Sequence, residues 1–371
     1  MTNLATAAAL QLDMTTQLPV SSYFDEKLHQ LELERLFERG PKYIGHELMV
    51  PNAGDYHVLE MTDGAHYLKR TDSGIKLFSN ICRHRQASML VGRGNATHTI
   101  CPLHRWTYDQ HGQLLGAPHF PGNPCLHLPE TELVQWNGLL FERNGHDIEA
   151  HLKDLGVARD LDFSSYVFHR VQVDEYVGNW KTFIEVYLED YHVEPFHPGL
   201  GQFVSCDDLK WQFGDWYSVQ TVGVQNALAR PGSRVYAEWH QQVRRYYGDK
   251  LPPYGAIWLT YYPNVMIEWY PHTLVISTIV PTGPRSYKNV VEFYYPEDIA
   301  YFEPDFLAAE QAAYAETAVE DQEIIDRMEA GRLALYKAGR NEVGPYQSPM
   351  EDGMRHFHQF LRRELGDAIR P

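Results

Sequence analysis

Cysteine is scarce in this chain, with 4 residues in 371. That is too few for a disulfide framework and suits a reducing compartment, so a cytoplasmic location is the expectation. Positive charge is also short. Against 49 Asp and Glu there are 32 Lys and Arg, a formal net charge of −17. Nucleic acid is therefore not an expected partner, because phosphate binding needs a basic face. No run of eighteen apolar residues occurs, so no membrane span is expected. Neither an internal repeat nor a low-complexity insert is present. The opening stretch, MTNLATAAALQLDMTTQLP, lacks a basic leader ahead of an apolar run. Residues 1–20 are expected to be a disordered tail rather than a signal peptide.

What is present starts with two of those cysteines. Cys82-Arg83-His84 is followed, after a gap of sixteen residues, by Cys101-Pro102-Leu103-His104. Two thiolates and two imidazoles in this order match what a [2Fe–2S] cluster with one histidine-ligated iron requires. Zinc also takes Cys and His, but zinc fingers usually pair like ligands. Here each short pair is mixed, so each hairpin can give one ligand to each iron. The blander alternative is two unrelated core cysteines with neighbouring histidines. Gly92, Gly94 and Gly112 suit tight loops around a cofactor that the backbone must approach. Trp106 and Tyr108 follow at strand spacing. They either shield the cluster, with the Tyr108 hydroxyl reaching a sulfur, or simply pack a strand. Cys125 and Cys206 remain outside the motif.

The length allows two domains with a sizeable core, and the pattern along the chain reads as α+β. Residues 21–40 place Phe24, Leu28, Leu31, Leu33 and Phe37 at roughly helical spacing ahead of Gly40, predicting a leading helix. Residues 41–155 consist of short, often alternating runs cut by Gly, Pro and Asp, predicting an antiparallel β domain that carries the Cys-His motif on two loops. Residues 156–371 mix strand-like runs, among them Ala256–Tyr262 and Asn289–Tyr295, with two long helical patterns.

The first of these patterns carries a second constellation. From Asn179 to His192 the residues Trp180, Phe183, Ile184, Tyr187, Leu188 and Tyr191 share one helical face. Glu185, Glu189 and His192 share another. Pro195 forces the residue before it out of helical geometry, so His197 can swing back toward His192. Two histidines and a carboxylate with open positions form the site of a non-haem Fe(II) that activates O₂. Alone, His192 and His197 would read as structural. Beside an electron-carrying cluster they read as the terminal metal it needs.

With these motifs the chain resembles the large (alpha) terminal-oxygenase subunit of the Rieske non-haem iron oxygenases, over residues from about 22 to 370. The resemblance rests on Cys82, His84, Cys101 and His104, and on Asn179-Trp180-Lys181, Glu189, His192 and His197. It implies an N-terminal antiparallel β domain holding the [2Fe–2S] cluster, then a helix-grip catalytic domain in which a curved antiparallel sheet grips long helices. It implies a mononuclear iron whose third ligand is a late Asp. Within the helical segment Ala308 to Gly339, Asp321 matches best and Glu320 is the nearest rival. The family often has Glu and Gln five and eight residues further on. Here Asp326 and Glu329 stand there, which unsettles the register.

The resemblance further implies a head-to-tail homotrimer. In it Glu189 bridges the cluster histidine of one subunit, His104, and the iron histidine His192 of the next; the alternative is a carboxylate that only orients His192. Electrons are expected from NAD(P)H through a flavin- and iron–sulfur-containing reductase or a ferredoxin. Arg83, Arg85, Arg93 and Arg105 suggest a basic docking patch for such an acidic donor, unless they pair internally. Glu189 leans the substrate toward quaternary ammonium compounds of the betaine, choline or carnitine type, hydroxylated or oxidatively demethylated. An aromatic acid is the runner-up. Trp258, Tyr261, Tyr262, Trp269 and Tyr270 alternate along a predicted sheet, so only some can face a pocket. No Arg or Lys can be assigned to it. A Rieske-type electron carrier and a zinc-stabilised binding protein are the readings from other classes.

Overall fold

Short apolar runs between residues 41 and 142 form three small antiparallel sheets. The largest orders its strands Arg93–Asn95, Asp55–Val58, His66–Thr71, Gly74–Ser79 and Glu130–Thr131. Their inward residues, among them Tyr67 and Phe78, join Leu114, Leu128, Trp106 and Tyr108 in a core that also holds Cys82 and Cys101. The glycines serve this packing. Gly112 turns the chain at φ +73, where a Cβ would meet Phe78, and a Cβ at Gly94 would meet Tyr56.

The computed structural model describes residues 16–248 and 250–369. The tail expected over residues 1–15 lies outside the described residues. Residues 16–20 depart from that expectation: Thr16 bridges Pro345, the Gln17 N–H donates to the Gly344 carbonyl, and Leu18 and Val20 are buried. Apolar side chains at 18 and 20 find cover that composition did not reveal. Gly40–Glu149 is one compact unit, and the segment ending at Arg39 joins residues from Ala150 onward in the other.

That second unit is built on seven antiparallel strands: β1 (Tyr166–Val177), β2 (Val204–Gly214), β3 (Tyr217–Val224), β4 (Ala256–Tyr261), β5 (Val265–Tyr270), β6 (Thr273–Gly283) and β7 (Ser286–Pro296). Their spatial order is β1-β7-β6-β5-β4-β3-β2. The middle strands are buried on both faces, so their sequences read as nearly continuous apolar runs. The helices of this unit include α1 (Trp180–Tyr187), α2 (Val193–Phe196), α3 (Arg234–Tyr247), α4 (Pro304–Lys337) and α5 (Asp352–Leu365). Helix α4 begins four residues before the expected segment, with Pro304 in its first turn, where a missing N–H is harmless. Its 34 residues span about 51 Å at 1.5 Å per residue. This curved-sheet-and-helix arrangement is the α+β fold expected. Among the described residues no helix is long and apolar enough to cross a membrane.

The leading helix is broken into a 3₁₀ turn (Val20–Tyr23), an α-helix (Glu26–Glu32) and a wider π turn (Leu33–Glu38). Tyr23, Leu28 and Leu36 pack with Trp180, Ile184 and Phe357. Under this layer Lys181 Nζ lies 2.6 Å from Glu32. Glu185 accepts from Tyr23 Oη at 2.5 Å and Arg332 Nη2 at 2.7 Å, and bonds His358 Nε2 at 2.9 Å. Burial opposes its charge, but Arg332, then His358 and Tyr23, pull the carboxyl down to about 2.

Candidate active site

The Cys-His residues sit on two equivalent loops. The Cys82 N–H donates to Ala87 O and the Gln86 N–H to Cys82 O; the Cys101 N–H donates to Trp106 O and the Arg105 N–H to Cys101 O. Gln86 (φ 54) and Arg105 (φ 60) both take the left-handed conformation that closes each loop. Both thiols point into the core at 2% and 1% exposure, while His104 is exposed. The His84 and His104 rings face each other with centroids 4.7 Å apart, and His84 stacks on Trp106 at 5.0 Å. Tyr108 Oη lies 3.7 Å from Cys82 Sγ and accepts the Arg83 N–H. The buried Nδ1 of His84 has no hydrogen-bond partner. Two sulfurs inside and two imidazoles outward, one of them with a free nitrogen, fit a cluster whose irons differ in ligation. Arg83, Arg85, Arg93 and Arg105 are all exposed.

The second constellation assembles by a route the sequence did not indicate. Helix α1 stops at Tyr187, capped by Leu188, instead of running to His192. The Leu188 carbonyl accepts the Met354 N–H, and the Asp190 N–H donates to Met350 O. Backbone groups that would extend the helix are thus taken by the segment ahead of α5 and by the first turn of α5 itself. Glu185 and Glu189 therefore share no helical face: Glu185 belongs to the buried network above, and Tyr191 is 59% exposed. Pro195 lies inside the single turn of α2, within a first turn that tolerates it.

The turn still brings the histidines together. His192 Nε2 lies 3.0 Å from His197 Nε2, and Asp321 Oδ1 from α4 lies 3.0 Å from His197 Nε2 and 3.5 Å from His192 Nε2. One ligand atom from each residue falls within 4.8 Å of the others. The outer nitrogens are also held. Glu189 accepts from His192 Nδ1 through one oxygen and from the His192 backbone N–H through the other, and Glu320 accepts from His197 Nδ1 at 2.7 Å. Protons held on both Nδ1 atoms leave two Nε2 lone pairs facing each other beside a carboxylate. Such a set calls for a cation at its centre, with carboxylates orienting the imidazoles. Burial disfavours charge on His192, yet Asp321 and Glu189 push it up to about 10, so this centre draws a positive charge and a proton competes with a metal for the His192 Nε2 lone pair. Burial likewise works against the Asp321 carboxylate, but the two imidazoles hold it below the usual range. The Asp321–Glu320 ambiguity thus separates in space: one acid faces the shared centre, the other the far side of His197. Glu329 accepts from Thr182 Oγ1 at 2.6 Å and from the Asn179 N–H, so the departure from the family pattern at 329 serves the start of α1.

Beside these residues lies a cavity of about 130 Å³. Of the five aromatic residues singled out on the sheet, Trp258 and Tyr270 line it, and Tyr261, Tyr262 and Trp269 do not. Arg170, which the sequence did not mark, also lines it, lying over the Phe293 ring and donating to Gln172. The larger omission is acidic. Glu268, Glu310 and Asp190 are buried in the cavity wall. Burial pushes Glu268 and Asp190 up to about 7 and Glu310 up to about 8. The signal for Glu268 was its place as the lone charged residue of the strand VMIEWY.

Comparison with known proteins agrees with this arrangement. Residues 41–130 match the Rieske [2Fe–2S] domain, and residues 161–367 match the ring-hydroxylating alpha subunit, catalytic domain. Putrescine 2-hydroxylase of Ralstonia nicotianae is 62% identical over 365 residues, covering 98% of this chain and 100% of that protein. Putrescine 2-hydroxylase of Bordetella bronchiseptica is 52% identical, over 95% and 85%. A quaternary ammonium Rieske monooxygenase, solved with an inhibitor, shares the fold with TM-score 0.74 at 18% identity, covering 95% of this chain and 96% of that one. The chain therefore belongs to the Rieske non-haem iron oxygenases, whose two matched domains imply a [2Fe–2S] cluster and a mononuclear iron.

Proposed function

We propose that this oxygenase hydroxylates a carbon of a small aliphatic primary diamine, putrescine or a near homologue. The observation that carries the reading is 62% identity along the whole length of a putrescine 2-hydroxylase. The cavity supports it, because buried carboxylates outnumber its single arginine, which favours a cationic substrate over an aromatic acid. A primary ammonium also has N–H donors for those carboxylates, and a quaternary ammonium has none.

Cys82, His84, Cys101 and His104 are the proposed cluster ligands, and His192, His197 and Asp321 the proposed iron ligands. When bound, the cluster supplies single electrons and the iron a site for O₂ activation. Glu189 and Glu320 keep protons on the outer nitrogens of His192 and His197 and aim the inner ones at the shared centre. The apolar part of the wall, including Phe203, Trp239 and Phe293, excludes water around the substrate carbon. We assign the homotrimer, the Glu189 bridge to a neighbouring His104 and the cytoplasmic location as parts of the same reading. Electrons come from NAD(P)H through a reductase or ferredoxin that docks at Arg83, Arg85, Arg93 and Arg105.

Purified protein with a compatible reductase is expected to couple O₂ uptake to 2-hydroxylation of putrescine without formaldehyde release. Turnover of carnitine or choline, with none of putrescine, would overturn the diamine reading. His197→Ala should keep the brown cluster spectrum and lose both product and the non-cluster iron; bleaching of the cluster instead would overturn the ligand assignment. Arg85→Glu with Arg105→Glu should raise the reductase KM and weaken its salt dependence, and an unchanged KM would remove the docking patch.

A further inference from the structure

We propose that Glu268 anchors one ammonium group of the substrate, with the Tyr187 hydroxyl as a second acceptor. This rests on the diamine reading above and extends it to named residues.

Glu268 stands in β5, in register with Trp258 on β4 and Val275 on β6. Its side chain is 3% exposed and lines the cavity that holds His192, His197 and Asp321. A charge in the middle of a buried sheet is costly unless it is paired. The pairing present is incomplete. Tyr270 Oη donates to Oε2 at 2.7 Å, and Tyr314 Oη to Oε1 at 3.3 Å. Trp258 Nε1 donates to Tyr270 Oη at 2.9 Å, which commits the Tyr270 proton to Glu268. Both donors are neutral phenols, and among the described residues no Lys or Arg lies within ion-pair distance of Glu268. The carboxylate is thus oriented, hydrogen-bonded and without a counter-ion.

An independent observation comes from the facing helix. Tyr187 of α1 lines the same cavity, and its buried hydroxyl has no hydrogen-bond partner. One unsatisfied hydroxyl and one uncompensated carboxylate are what a primary ammonium satisfies, since it brings a positive charge and three N–H donors. The Trp258 and Tyr270 rings add attraction for a cation. A trimethylammonium group would leave the Tyr187 hydroxyl unsatisfied. Burial holds Glu268 near its ionisation midpoint at neutral pH, so an arriving ammonium also fixes it in the charged form.

The test compares wild type, Glu268→Gln and Tyr187→Phe as intact oxygenases with putrescine as the probe, using calorimetry for Kd and product formation for KM and kcat. Glu268→Gln should raise Kd and KM by about 10- to 100-fold, the loss of a charged hydrogen bond, with kcat less affected. Iron content and visible spectrum should match wild type. Tyr187→Phe, which removes one oxygen from a packed ring, should raise both by about 2- to 10-fold and serves if the first variant does not fold. Wild type active on putrescine, with both variants within twofold of it in Kd and KM, would overturn the anchor alone. Wild type that neither binds nor hydroxylates putrescine would overturn the diamine reading and the anchor with it.

Discussion

Two buried glutamates in the same unit show how surroundings divide labour between like residues. Glu185, on α1, is 0% exposed and Glu268, on β5, is 3% exposed. The first meets Arg332, His358 and Tyr23 and is held down to about 2. Among the described residues the second meets only Tyr270 and Tyr314 by hydrogen bond, and burial pushes it up to about 7. Complete pairing makes a buried acid part of the scaffold. Incomplete pairing, beside a cavity and the proposed metal centre, leaves charge available to a ligand. Depth alone would have classed the two together.

The sharpest way to break this contrast is stability. Glu185→Ala leaves Arg332 and His358 buried opposite a void and should cost about 3–5 kcal/mol in urea unfolding. At pH 4.5, where Glu268 is still protonated, Glu268→Gln without amine should change stability by under about 1 kcal/mol, because the two phenols keep an acceptor. Equal losses in the two variants would erase the distinction.

The effect of pH is smaller and opposite in sign at the two sites. Glu185, lowered from 4.5 to about 2, contributes stability that is present above 4.5 and lost as pH falls toward 2. Glu268, raised from 4.5 to about 7, contributes stability that is full below 4.5 and lost as pH rises through 7. Asp190 and Glu310 shift the same way as Glu268 and add to that upper limb. Glu268→Gln should therefore make the pH slope of the urea midpoint without amine more positive by one proton's worth between pH 4.5 and 7. An unchanged slope would mean that Glu268 ionises as readily folded as unfolded.

What the sequence revealed follows how local each feature is. The two Cys-His loops are short hairpins closed by their own backbone, so spacing alone exposes them. His192 and His197 lie five residues apart and were legible for the same reason. The stop of α1 was not, because the groups that end it are Met350 and Met354, far along the chain. Asp321 was legible only as one acid among several on α4, since spacing cannot say which neighbour faces the histidines. The runs Ala256–Tyr262 and Asn289–Tyr295 gave the sheet away by their apolar content. Glu268 was written in such a run, but a lone charge there acquires meaning only when its missing counter-ion is seen.

Helix α4 works as an indexed shaft. Along one unbroken rod it carries Glu310 and Tyr314 at the cavity, Glu320 and Asp321 at the proposed metal centre, and Glu329 and Arg332 beneath α1. Each residue added or removed between two of these stations turns everything beyond it by about 100°, so three separate tasks share a single phase. Length variation among proteins built this way belongs in the connections at either end of the rod, while the spacing of the stations along it stays fixed.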